Sequence, residues 1–208
     1  MIYDITRTVS VTTHVWPGDN QFTFKPVMKL DNGDSVNLTT MTLSPHTGTH
    51  ADAYFHYEVD GKHPNTMPLD SYIGHAQVIT TPKQDGALLP SDFDGVDLKN
   101  VDCVLIHSHV SDLADDQWAE KFPYLSVELI EWLSGEGIKL IGLDSPSVDA
   151  FDSKDLPCHH ALHKHQMVNL ELVQLQNVPD GIYELIALPL KLDGVCGAPV
   201  RAILRTLE

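Results

Sequence analysis

Residues 46–56 read HTGTHADAYFH and place His46, His50, Asp52 and His56 at even positions. Imidazole nitrogens combined with a carboxylate oxygen form a donor set for Zn²⁺, Mn²⁺ or Fe²⁺. No cysteine lies nearby, which argues against a structural zinc knuckle. Backbone period decides whether the four side chains can meet. On a helix, at about 100° per residue, His46 and His50 share a face and Asp52 and His56 fall nearly opposite. On an extended segment the period is 2, and all four point the same way. Gly48 and the threonines on either side of it also disfavour a helix. The expectation is an extended or looping segment that aims His46, His50, Asp52 and His56 into one cavity.

A second cluster, CHHALHKH at 158–165, holds His159, His160, His163 and His165. Glu171 follows in a strand-like alternation, NLEL. Two clusters far apart in sequence, one His/Asp and one His/Glu, are what a two-metal site assembled by the fold requires. Residue by residue, two readings stand for the second cluster. His160, His163 and His165 could line a helix facing water, with a single histidine there acting as ligand, and Glu171 could be an exposed strand carboxylate. Asp112, Asp115 and Asp116 read as a solvated loop. Trp16-Pro17-Gly18-Asp19 reads as a turn, with its Trp either in the core or forming an aromatic wall beside the site.

The elements that must position these groups are mostly strands. FTFKPVMKL, DNGD and SVNLTTMTL predict a hairpin turning at Asn32-Gly33. Further strands are expected at 76–80, 102–107, 138–143, 168–173, 183–188 and 199–206. Residues 126–137 read as a helix, with Ser126 as its cap, Glu128 in its first turn and Gly135 or Gly137 at its end. No repeat, low-complexity tract or linker interrupts the chain. The sum is a single mixed α/β domain over 1–208, richer in strand than in helix.

The whole chain narrows the function further. Its 208 residues suit one domain. A formal net charge of −16 argues against a nucleic-acid partner and an anionic membrane surface on electrostatic grounds. Cys103, Cys158 and Cys196 are odd in number, widely spaced and without a CxxC, which fits free thiols in a reducing compartment. The N-terminal MIYDITRTVS lacks a secretory pattern, and no apolar run is long enough to cross a bilayer. A cytoplasmic location is expected.

HTGTHADAYFH resembles the HxGTHxDxPxH signature of the cyclase-like metal-dependent hydrolases. Within that family the chain is most similar to the bacterial kynurenine formamidases (arylformamidases). The likeness runs from end to end. It includes Trp16-Pro17-Gly18-Asp19, Tyr57 with Asp60-Gly61, the PLD and YIG stretches at 68–70 and 72–74, and GLDSPSVD at 142–149. It continues through Ser153-Lys154, His159-His160-Ala161 with Glu171 twelve residues beyond His159, and YELIALPL at 183–190. Two positions depart. Tyr54 stands where the signature has Pro, which implies an altered loop. His107 stands where relatives often have Arg, which implies loss of a fixed positive charge near the site.

The resemblance implies a swivelling β/β/α cyclase-like fold, strand-rich with few helices. It implies His46, His50 and Asp52 around a first metal, with Asp52 bridging to a second metal that His159 also holds, and Glu171 touching both. It further implies His56 as catalytic acid/base and Trp16 against an aromatic substrate. The implied cofactor is two Zn²⁺ per subunit, with Mn²⁺ as the other candidate, in a homodimer or higher homo-oligomer. The implied reaction is hydrolysis of N-formyl-L-kynurenine, a small aryl formamide, to kynurenine and formate in tryptophan degradation. Water activated at the metal attacks, and His56 shuttles the proton. The rival readings are a family hydrolase acting on isatin or another cyclic or aryl amide, and a non-catalytic metal-binding protein.

Overall fold

The computed structural model describes residues 1–207. Its first strands are β1 (Ile2–Asp4), β2 (Thr23–Met28), β3 (Leu38–Thr42), β4 (His50–Asp52), β5 (Ile73–Thr80), β6 (Gly86–Leu88), β7 (Cys103–His107) and β8 (Pro123–Leu125). Helix α1 (Val127–Gly135), β9 (Leu140–Leu143), α2 (Pro157–Lys164) and β10 (Val168–Glu171) follow. The chain closes with β11 (Gly181–Ile186), β12 (Gly197–Pro199) and β13 (Ile203–Thr206). Among the described residues α1 and α2 are the only α-helices, so the fold is mixed α/β and strand-rich.

Nine strands make one sheet in the order β1-β13-β11-β5-β7-β9-β10-β4-β12. The middle of the sheet, β5, β7, β9 and β10, is parallel, and the strands outside it pair antiparallel. CVLIH in β7 and LIGL in β9 are near-continuous apolar runs, as expected for parallel strands covered on both faces. Strand alternation sends Cys103 and Leu105 into one core and Val104 and Ile106 into the other. Each such leucine contributes roughly 1.5–3 kcal/mol on burial. Gly142 is required by close approach, since a Cβ there would lie 2.4 Å from Leu105 Cδ2.

Helices α1 and α2 cover the second face through Leu129, Ile130, Leu133, Ala161 and Leu162. Ser126 caps α1 as expected, its hydroxyl accepting from Leu129 N–H at 3.1 Å, and Glu128 lies in the first turn. The expected strands at 76–80, 102–107, 138–143, 168–173 and 183–188 all form, with ends shifted by a few residues.

Two expectations change in detail and a third is refined. The segment 199–206 is two elements, because β12 ends at Pro199 and β13 begins at Ile203. β12 pairs with β4 at one edge of the sheet, and β13 lies between β1 and β11. The hairpin of β2 and β3 forms and turns at Asn32-Gly33 as expected, with a 3-10 turn at Leu30–Asn32, closed by Gly33 at φ +87°, inside the connection. The acidic loop is not simply solvated. Asp112 and Asp116 are exposed, but Asp115 lies 3.4 Å from the guanidinium of buried Arg7 and accepts Thr8 N–H.

Candidate metal centre and active-site cavity

The HTGTH segment is extended only over β4, where His50 and Asp52 alternate onto one face. His46 comes from the loop before it, past Gly48 at φ +64°. His56 comes from a 3-10 turn after it, Tyr54–His56. The four side chains therefore converge through turns at both ends of a short strand rather than through strand parity alone.

Sheet register supplies the partner carboxylate. β4 lies between β10 and β12, with Glu171 opposite His50 and Gly197 opposite Asp52. Ala51, Val168 and Leu170 point into the first core, so His50, Asp52, Asn169 and Glu171 face the side that carries α2. That helix delivers His159, which is 3% exposed. The exposed reading of Glu171 thus fails, because it is buried like His159, whereas His160 on the same helix is exposed and pairs with Glu58.

Each carboxylate turns one oxygen to His50 and the other to His159. His50 Nε2 is 3.5 Å from Asp52 Oδ1 and 3.5 Å from Glu171 Oε2. His159 Nε2 is 3.4 Å from Asp52 Oδ2 and 3.8 Å from Glu171 Oε1. His46 Nδ1 approaches Asp52 Oδ1 at 3.0 Å. His50 Nε2 and Asp52 Oδ1 are buried without a hydrogen-bond partner, an arrangement that proteins avoid unless something else satisfies the atoms. Metal–ligand bonds of about 2.0–2.2 Å in a tetrahedron set donors roughly 3.3–3.6 Å apart. The His50 and His159 spacings match that value better than they match hydrogen bonds, so the residues fit a cation.

The remaining polar atoms hold this set in place. His50 Nδ1 meets Gly48 O at 2.8 Å, and His159 Nδ1 meets Asp149 Oδ2 at 2.6 Å. Both contacts leave Nε2 facing the centre. Asp149 also accepts the Cys158 and His159 N–H groups at the start of α2, where the helix dipole favours a negative charge. Asn169 Nδ2 donates to Asp52 Oδ2, and Val148 N–H donates to Glu171 Oε1. Leu156 and Leu172, which flank His159 and Glu171, adopt φ +44° and +55°. Left-handed backbone at such residues costs roughly 1–3 kcal/mol each and concentrates at functional sites.

Charge follows the same geometry. Burial opposes a charged His46, yet the Asp52 carboxylate and the Cys196 sulfur hold its pKa up at about 11. Burial is likewise outweighed at His50, at about 9, by Asp52 and Glu171. At His159, at about 10, Asp149 and Asp52 outweigh it. The imidazoles of His159, His46 and His50 hold Asp52 well below the usual carboxylate range despite its burial. Metal binding must displace these protons.

The centre opens into a cavity of about 530 Å³, within the range of small-molecule sites. His46, His50, His159, Glu171 and His56 line it together with Trp16 and Trp118. His56 stacks on His46 with ring centroids 4.2 Å apart and is more exposed than the other histidines of the centre. The WPGD turn forms, with Asp19 N–H bonded to Trp16 O and Gly18 at φ +95°. Trp16 forms a wall, edge-on to Trp118 at 5.7 Å and tilted against Phe151 at 5.0 Å.

Three residues of the site escaped the sequence reading. Trp118 and Cys196 line the cavity and Asn169 donates to Asp52, but none sits in a motif with metal-ligand spacing, and only the fold brings them to the site. Tyr54 is a buried residue whose hydroxyl donates to Met167 O, so it backs α2. His107 lies at the end of β7 against Thr80 and is not a lining residue of the cavity. The expected loss of charge beside the site does not arise there.

A strand-rich α/β fold here sets buried imidazoles and carboxylates that could hold a metal ion beside an open cavity of small-molecule size. The sequence pattern described as "Putative cyclase" matches residues 3–150. The kynurenine formamidase of Salinibacter ruber is 42% identical over 205 residues, covering 98% of this chain and 97% of the relative. That of Erythrobacter litoralis is 42% identical over 207 residues, covering 99% and 94%. The chain belongs to this cyclase family. A solved potential metal-dependent hydrolase with cyclase activity superposes at TM-score 0.85 with 24% identity, covering 100% of this chain and 98% of that one. Isatin hydrolase A from Labrenzia aggregata superposes at 0.84 with 24% identity, covering 100% and 94%. These two likenesses concern the fold.

Proposed function

We propose that the chain is a kynurenine formamidase that hydrolyses N-formyl-L-kynurenine to L-kynurenine and formate, a step of tryptophan degradation. The observation that carries this reading is the 42% identity to kynurenine formamidases over nearly the whole chain. The chain acts as one cyclase-like domain. His46, His50 and Asp52 would hold a first Zn²⁺, His159 with Asp52 would hold a second, and Glu171 would serve both. Two facts support this ligand set: the division of carboxylate oxygens between His50 and His159, and the orphaned donor atoms.

Bound zinc supplies Lewis acidity, which lowers the pKa of water and polarises a carbonyl oxygen. The protein contributes the rest. Trp16 and Trp118 offer flat apolar faces to the aryl ring. The aniline nitrogen leaves poorly as an anion and must be protonated as the C–N bond breaks. In this reading His56 takes the proton released by the attacking water and returns it to that nitrogen, a role supported by its exposure in the cavity against His46. Asn169 and Val148 N–H keep Asp52 and Glu171 oriented throughout.

A homodimer is part of this reading. β2 and β3 pair with each other and not with the large sheet, and they expose Phe24, Val27, Leu38 and Met41.

Steady-state turnover of zinc-loaded protein on N-formylkynurenine, with isatin in parallel and a chelator control, tests the reaction. Rapid, chelator-sensitive release of kynurenine is expected. Preferential opening of isatin would move the substrate to the cyclic amides.

A further inference from the structure

Three imidazoles surround the carboxylate pair, and a neutral imidazole has one N–H and one lone pair. A ligand histidine must therefore place its hydrogen on the nitrogen that faces away from the metal. For His50 the outward contact is Gly48 O, and for His159 it is Asp149. For His46 the inward atom is Nδ1, 3.0 Å from Asp52 Oδ1, and the outward atom, Nε2, is 3.1 Å from Cys196 Sγ.

The fold holds that sulfur in place from two sides. Cys196 O accepts Ala53 N–H at 3.0 Å, which ties it to the strand carrying Asp52. The next residue, Gly197, leaves room for the imidazole, since a Cβ there would stand 3.0 Å from His46 Cε1. His46, His56 and Cys196 also bring one donor atom each within 4.8 Å of one another. The unpartnered, buried Oδ1 of Asp52 and Nε2 of His50 point into the same centre.

We propose that Cys196 is a positioning residue for the metal centre: its sulfur accepts the Nε2–H of His46, fixes that tautomer, and leaves the Nδ1 lone pair for the cation beside Asp52. This rests on His46 being a ligand. It assigns to a thiol the task that a carbonyl and a carboxylate perform for the other two histidines.

The test needs no substrate, so it stands apart from the question of which amide is hydrolysed. Zn²⁺ affinity is measured by competition with a chromophoric chelator on stripped wild type, Cys196→Ala and Cys196→Ser, each checked for folding by circular dichroism. Loss of such an outer partner weakens metal binding by about 10–100-fold. That loss is expected in the Ala variant, with part of it recovered in the Ser variant, whose hydroxyl can still accept. Long-range ¹H–¹⁵N correlation of the zinc-loaded wild type should show His46 protonated at Nε2 and metal-bound at Nδ1. Unchanged affinity in Cys196→Ala, or a His46 bound through Nε2, overturns the proposal. Failure of the wild type to take up Zn²⁺ overturns it together with the ligand set.

Discussion

Asp52 turns Oδ1 to His46 and His50 and Oδ2 to His159, which leaves His56 as the histidine of the segment outside these carboxylate pairs. His50 and His159 are buried, each held at Nδ1 by a protein group with Nε2 facing the carboxylates. His56 is exposed to the cavity and stacks on His46. Replacing it should leave the ligand set intact and remove only the proton shuttle. His56→Ala is expected to bind zinc as the wild type does while turnover falls by about 10²–10⁴-fold, the usual size of general acid–base assistance. Metal analysis alongside kcat decides the point. If zinc leaves with turnover, His56 is a ligand, which its proximity to Asp52 and His159 makes a real alternative.

At the scale of elements, the first turn of α2 links helix stability to the metal centre. Asp149 accepts two N–H groups at the helix start and orients His159. Removing a helix-capping acceptor costs about 0.5–2 kcal/mol, and removing a histidine's outer partner costs about 10–100-fold in metal affinity. Asp149→Ala should therefore show both a lower melting temperature without metal and weaker zinc binding. A loss of stability with unchanged zinc affinity would mean that His159 keeps its orientation without Asp149. Ser126 caps α1 with no such second duty, so Ser126→Ala provides the comparison.

At the scale of the whole molecule, the exposed hairpin and the buried charges set two expectations. A two-stranded ribbon is marginal by itself in water, and clustered exposed apolar side chains on one mark an interface. Phe24→Glu with Met41→Glu should convert a dimer to a monomer, read by sedimentation velocity. A dimer that survives the pair places the interface elsewhere. The second expectation concerns pH in the zinc-stripped protein. His46, His50 and His159 have folded pKa values raised to about 11, 9 and 10 from the ordinary 6.5. Their contribution to stability is full below about 6.5 and disappears as pH rises through those values. Asp52, whose pKa is lowered, contributes above about 3.9 and loses its share as pH falls below that. Calorimetry of stripped protein should show the melting temperature falling from pH 7 to pH 10. A flat profile there would mean that the imidazoles are neutral in the folded state.

The sequence by itself determined the donor atoms and the strands. Imidazole and carboxylate chemistry is a property of residue type, and strand alternation is a local backbone period, so His46, His50, Asp52 and the apolar runs of β5, β7 and β9 were readable without a fold. The Ser126 cap was readable for the same reason. Residue chemistry left His159 and His160 open and the family likeness chose His159; the tertiary structure buries His159 and exposes His160, because that depends on the phase of α2 against the sheet. It also decided that Glu171 stands opposite His50, since register between distant strands is not a local quantity. It split 199–206 at Pro199, because β12 is needed beside β4 and β13 beside β11. It brought Trp118 and Cys196 to the cavity and Asn169 to Asp52, which no spacing in the chain predicts, because Trp16, His46 and Asp52, the groups they meet, lie about a hundred residues or more away in sequence.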